Sequence, residues 1–319
     1  MEVQSETQPL LAPTPLYKND VPQETYRVLI GWTEDQWSIQ ARASLITNES
    51  LEEHLQAVAA CKAFVSLRPK FIPTNLITEI AENELAKTIK ARPEFSYAEM
   101  AIKKAGGNCR IARVNLRDVL AFQHLVRIDN LQSRLIEGVV SDEQLLELCF
   151  PLNQPIDANE VTIDLDDRGY TITVLDPNIR ILPWSAIPTD TQSPLPGGQI
   201  QYPSASSPLQ FPIFPFALLK VPNYLQVVHY QDRYILSHGY TRSASFLYQN
   251  IQNVPCLLVE TDNPHLVGIK PGMLDLPIML GDHPPRLSEF WEDAVTCNWQ
   301  RPAFRKVYRI TMEEMNVWR

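Results

Sequence analysis

The densest chemistry in the chain lies in six consecutive residues, Ser237-His238-Gly239-Tyr240-Thr241-Arg242. Ser237, Tyr240 and Thr241 carry hydroxyls. Gly239 tolerates φ > 0 and lets the backbone come close to a ligand. Arg242 can grip a phosphate with two parallel hydrogen bonds. A phosphate beside His238 would favour its imidazolium form. This pattern suits an anion held where a helix begins, because free backbone N–H groups and the helix dipole converge there. A plainer reading uses the same residues: Gly239 only makes a turn, His238 satisfies backbone groups and Arg242 pairs with a surface carboxylate. A single glycine loop does not separate the two.

The surrounding residues specify the elements that would position this loop. Leu225, Val227 and His229 alternate with Gln226, Val228 and Tyr230, and Tyr234-Ile235-Leu236 forms a second apolar run. Gln231-Asp232 lies between them, so the stretch predicts a hairpin. A helical pattern opens after Gly239 through Ala244, Phe246, Leu247 and Ile251. Val254 to Val259 has the composition of a buried strand. The predicted order is strand, turn, strand, glycine loop, helix, strand.

The run Asp232-Arg-Tyr-Ile-Leu-Ser-His-Gly-Tyr-Thr-Arg-Ser-Ala-Ser-Phe-Leu247, followed by Val254-Pro-Cys-Leu-Leu-Val259, resembles the ParB/sulfiredoxin-like family. Its members carry a strand, a Gly-x-x-Arg turn, an alanine-rich helix and a strand led by Val-Pro. The resemblance implies a mixed sheet with flanking helices, and a turn that binds the phosphates of ATP or CTP with magnesium. Gly239 and Arg242 match the glycine and arginine of that turn. Tyr240 stands where sulfiredoxins have cysteine, so sulfinic-acid chemistry is not expected. Partitioning proteins follow the glycine with an acid and two arginines; Tyr240-Thr241-Arg242 keeps only the last. The acidic base of the family's free-serine kinases has no counterpart placed here. Cys109 to Asn115, continued by Leu116 to Val126, resembles the opening strand and short helix of ParB-like domains. By that likeness Gln123 lies near Gly239, with Arg127 as a second basic group. An exposed helix face is the alternative position for both.

Composition narrows the partners. The formal net charge is −9 and no lysine- or arginine-rich run appears, which weighs against a DNA-binding surface. The five cysteines (Cys61, Cys109, Cys149, Cys256 and Cys297) are scattered without a Cys-x-x-Cys pair, so buried reduced thiols are expected and metal binding is not. No basic start with an apolar core is seen, nor an apolar run of membrane-spanning length. A cytoplasmic protein without a membrane partner is therefore expected.

The rest of the chain predicts an α+β protein with a helical N-terminal part followed by the ParB/sulfiredoxin-like mixed sheet. Residues 1–24 read as a flexible arm and 25–107 as mainly helical. Tyr26 to Trp32 has strand composition. Ser50-Leu-Glu-Glu53 and Ser96-Tyr-Ala-Glu99 are capping boxes, and Thr74 to Ala91 has helical spacing. Three successive helices suggest a helix-turn-helix bundle, but the third carries only Lys103 and Lys104 for a nucleic acid. Residues 108–319 form the second domain, with an inserted hairpin and proline-rich loop at about 151–216. In that domain Ser141-Asp-Glu-Gln144 caps a helix, Asp166-Asp-Arg-Gly169 turns a hairpin, and Asn178 to Pro183 adds a strand. Arg286 to Trp291 predicts a helix with Ser288 as cap, and Trp299 to Ile310 a closing strand. The leading functional expectation is nucleotide binding, extended by slow phosphohydrolase or phosphotransfer activity. The alternatives are a non-catalytic protein-interaction adaptor with a degenerate pocket and, third, a ParB-like DNA-binding protein.

Overall fold

The computed structural model describes residues 23–32, 48–80, 84–129, 131, 140–152, 158–166, 169–175, 179–183, 216–220, 223–303 and 306–311. Their elements begin with β1 (Gln23–Leu29), α1 (Asn48–Ser66), β2 (Ile77–Glu79), α2 (Glu84–Lys90), α3 (Pro93–Lys104) and β3 (Gly107–Asn115). Next come β4 (Leu125–Arg127), α4 (Asp142–Cys149), β5 (Val161–Asp166), β6 (Gly169–Val174), β7 (Ile179–Pro183) and β8 (Phe216–Lys220). The chain continues through β9 (Gln226–Tyr230), β10 (Arg233–His238), α5 (Tyr240–Tyr248), β11 (Asn253–Thr261), α6 (Leu276–Leu280), β12 (Thr296–Pro302) and β13 (Lys306–Thr311). Helices and strands mix along the chain, which makes this an α+β protein.

A five-stranded sheet, ordered β10-β9-β11-β3-β2, dominates the core. Gln231 (φ 47°) and Asp232 (φ 59°) both take positive φ. A two-residue turn of that hand matches strand twist and closes the β9–β10 hairpin. β11 runs parallel to β9 and antiparallel to β3. Pro255 sits inside β11, opposite Arg113 of β3. The pairing with β9 begins only at Leu257, so the missing N–H of Pro255 breaks no bond on that side. The outer edge of β10 is covered too: Leu120 bridges Ile235 on one side and Arg286 on the other. A three-stranded sheet, β12-β1-β4, stands beside this assembly. Helix α5 is buried along Ser243 to Phe246, and residues Leu287–Trp291 pack against it. Hydrophobic burial of this kind is the main favourable contribution to folding.

Several expectations change. Thr74 to Ala91 is not one helix: Ile77–Glu79 pairs with β3 and only Glu84–Lys90 is helical. The third helix opens at Pro93, with Arg92 as its cap position, so Ser96 lies inside it. Pro at the first helical position has the required φ and needs no donor. Leu116 to Val126 is helical only over Leu116–Asp118; the edge pairing of Leu120 draws the chain straight. Leu287–Trp291 is a short 3-10 helix, and Ser288 donates to the Arg117 carbonyl instead of capping it. The closing strand is two strands in different sheets, β12 with β1 and β13 with β6. The hairpin β5–β6 and the capping box at Ser141, with both of its hydrogen bonds, form as expected. Residues 1–22 of the N-terminal arm and residues 184–215 of the proline-rich loop lie outside the described residues, while Gln23 and Glu24, expected at the end of that arm, belong to β1.

Candidate functional site

The six residues of the glycine turn occupy the end of β10 and the start of α5. The ladder shifts register between Leu236 and His238, a bulge that re-aims the intervening Ser237. Gly239 has φ 96° and ψ 23°, the left-handed conformation that glycine adopts without penalty. A side chain would be crowded there: a Cβ would lie 3.3 Å from Leu225 Cα. Helix α5 then starts without a side-chain cap. The first N–H to find its helical partner is that of Ser243, donating to Gly239 O at 2.8 Å. The preceding amides of Tyr240 and Thr241 are the kind of donor that a helix start leaves without an intrahelical partner.

Tyr240 turns inward. Its hydroxyl accepts from the N–H of Phe122 (3.0 Å) and Gln123 (3.1 Å) and donates to Leu236 O at 2.8 Å. Burial pushes the phenol well above its usual range, and the two amide donors only partly offset this. Its hydroxyl therefore does not join those of Ser237 and Thr241, a correction set by the apolar core around Phe122. Arg242 is also committed. Its Nη1 donates to Asn223 O at 2.9 Å and to Cys149 O at 3.4 Å. The same Cys149 carbonyl accepts from Leu225 N at 2.9 Å. Arg242 thus braces the segment that carries Leu225 up to Gly239.

The remaining five candidate residues divide by position. Ser237 Oγ and His238 Nδ1 share a hydrogen bond of 3.1 Å, and His238 is exposed. Thr241 is half-buried beside the orphan amides. Gln123 does approach the turn, through its main chain bound to Tyr240, while its side-chain amide donates to Leu125 O at 2.8 Å. Arg127 lies in β4 and its guanidinium meets Glu24 and, at 3.4 Å, Asp129. Neither residue is on a helix; the extended course of Leu120 to Arg127 decides their directions.

The loop that follows β11 was not singled out from sequence. Gly268 (φ 85°) passes beside Ser237, with a Cβ position 3.1 Å from Ser237 Oγ. Leu274 N donates to Phe122 O at 2.8 Å. Between them Met273 N donates to Lys270 O at 3.1 Å, with Gly272 at φ 85°, so Lys270-Pro-Gly-Met273 is a tight turn. Pro followed by Gly is the sequence signal for it.

The assembled groups are donors and hydroxyls, which suits an anion. Backbone amides and the Thr241 hydroxyl fit a phosphate, and Gly239 lets one come close. Among the described residues no group of three or more His, Cys, Asp or Glu is placed to hold a metal ion. The nearest thiol offers little nucleophilicity, since burial pushes Cys149 up to about 12. Among the described residues no helix is long and apolar enough to cross a membrane. No protein-family model, curated protein or solved structure matches the chain.

Proposed function

We propose that the chain binds a nucleotide through its phosphates, ATP or CTP with magnesium, at the turn from β10 into α5. One observation carries this reading: a left-handed glycine opens a helix whose first amides have no side-chain cap. Such amides favour an anion. In this reading the backbone amides and Thr241 contact phosphate. His238 stands at the rim, and Arg242 holds the turn in shape from behind. Bound nucleotide controls conformation or partner choice, and slow phosphohydrolase or phosphotransfer activity is an extension of the same site. Thermal unfolding with ATP, CTP and GTP, each with magnesium, tests it. Binding at 100 times Kd stabilises by about 2.7 kcal/mol, so at least one nucleotide should raise Tm. No rise with any of them at millimolar concentration rejects the reading.

A second reading, a non-catalytic adaptor that keeps the fold, is favoured by the engagement of Arg242 with two main-chain carbonyls. It expects no nucleotide response. The DNA-binding reading has only the family likeness behind it, against a formal net charge of −9.

A further inference from the structure

The central sheet carries a second feature, at the end of β10 opposite the glycine turn. Register places Tyr234 of β10, His229 of β9, Glu260 of β11 and Asn108 of β3 in one lateral row on one face. One rung inward on that face are Leu236, Val227 and Leu258, buried at 0%, 0% and 1%. The outer row is half-buried to exposed, so the face changes there from dry core to an open polar strip. Arg110 reaches from the inner rung to Glu79 of β2 and, at 3.5 Å, to Glu260.

The strip is ordered. The rings of His229 and Tyr234 stack at 4.5 Å with 18° between their planes. The Tyr234 hydroxyl donates to Asn75 Oδ1 at 3.2 Å. Glu79 and Glu260 share a single guanidinium, that of Arg110, and the exposed Asp232 of the hairpin turn adds a third carboxylate near Tyr234. Net negative charge beside an aromatic stack favours an organic cation, by ion pairing and by cation–π contact. It disfavours phosphates. The length fits as well. Four strands spaced about 4.8 Å apart make a row of about 14 Å, close to the two i, i+2 steps of an extended chain.

We infer that this row docks an extended basic segment of a partner protein, whose arginine or lysine side chains lie against the His229–Tyr234 stack and Glu260. The site is independent of the phosphate reading. Calorimetry on the full chain tests it with two acetylated and amidated hexapeptides, (Arg-Thr)3 and (Glu-Thr)3, at low and physiological salt. The basic peptide should bind and the acidic one should not. Glu260→Gln should weaken binding about fivefold or more, the effect of one lost charge at a partly screened surface. Asn108→Asp should strengthen it. Both positions are exposed, so neither change threatens folding. Three results overturn the inference: no binding of the basic peptide at millimolar concentration, binding indifferent to both substitutions, or tighter binding of a single-stranded oligothymidine than of the basic peptide.

Discussion

Arg242→Ala removes a guanidinium that donates to Asn223 O at 2.9 Å and to Cys149 O at 3.4 Å. Cys149 O keeps its bond from Leu225 N at 2.9 Å, so the Asn223 carbonyl suffers the main loss. A hydrogen bond from a charged donor contributes about 1.5–3 kcal/mol, and the longer contact adds little. The arginine is only part-buried, so water recovers some of the loss. The expected destabilisation is about 2 kcal/mol. With a urea m-value of about 3 kcal/mol/M, the midpoint should fall by roughly 0.7 M. Tryptophan fluorescence and far-ultraviolet dichroism should report the same shift. Because Arg242 stands behind the turn, the variant should still respond to a nucleotide that raises wild-type Tm, with reduced affinity. Unchanged stability together with complete loss of the nucleotide response would refute this reasoning, since it would mean that Arg242 grips the phosphate directly.

Three further substitutions probe the same region and its roof. Gly239→Ala forces a side chain into the left-handed region and to 3.3 Å from Leu225 Cα; the cost should be about 2–3 kcal/mol in denaturant unfolding. Tyr240→Phe strips the N–H groups of Phe122 and Gln123 of their acceptor. It should cost about 3 kcal/mol and speed hydrogen exchange at those two amides. Glu289 is buried beneath Arg68, and burial pushes its carboxyl up to about 7 despite that arginine and the Arg286 amide. The folded state then holds this proton more tightly than the unfolded chain. Its contribution is fully present below about pH 4.5 and is lost as pH rises through about 7, a change of up to about 3 kcal/mol. Glu289→Gln should flatten the difference in urea midpoint between pH 5 and pH 8; a wild-type dependence that the variant keeps intact contradicts it.

The parts of the fold legible in sequence are those fixed by local chemistry. The β9–β10 hairpin follows from alternating residues around Gln231-Asp232, and α5 from a glycine followed by apolar spacing. The box at Ser141 is a local hydrogen-bond pair. The misread elements were decided by distant partners. Leu76 and Ile77 fit a helix as well as a strand, and the pairing of β2 with Val114 and Arg113 selects the strand. Leu120 is drawn out of helix by Ile235 and Arg286, both more than a hundred positions away. The same limit applies to the site. The glycine conformation was readable, but the inward turn of Tyr240 depends on Phe122, and the commitment of Arg242 depends on Asn223 and Cys149. No spacing rule within the turn encodes those carbonyls.

The most direct test of the central claim is nuclear magnetic resonance of backbone amides while ATP or CTP with magnesium is added. The account predicts saturable shifts concentrated at Gly239, Tyr240, Thr241 and Arg242, with smaller ones at Gln123. Saturable shifts that spare these amides, or none at millimolar nucleotide, would contradict it.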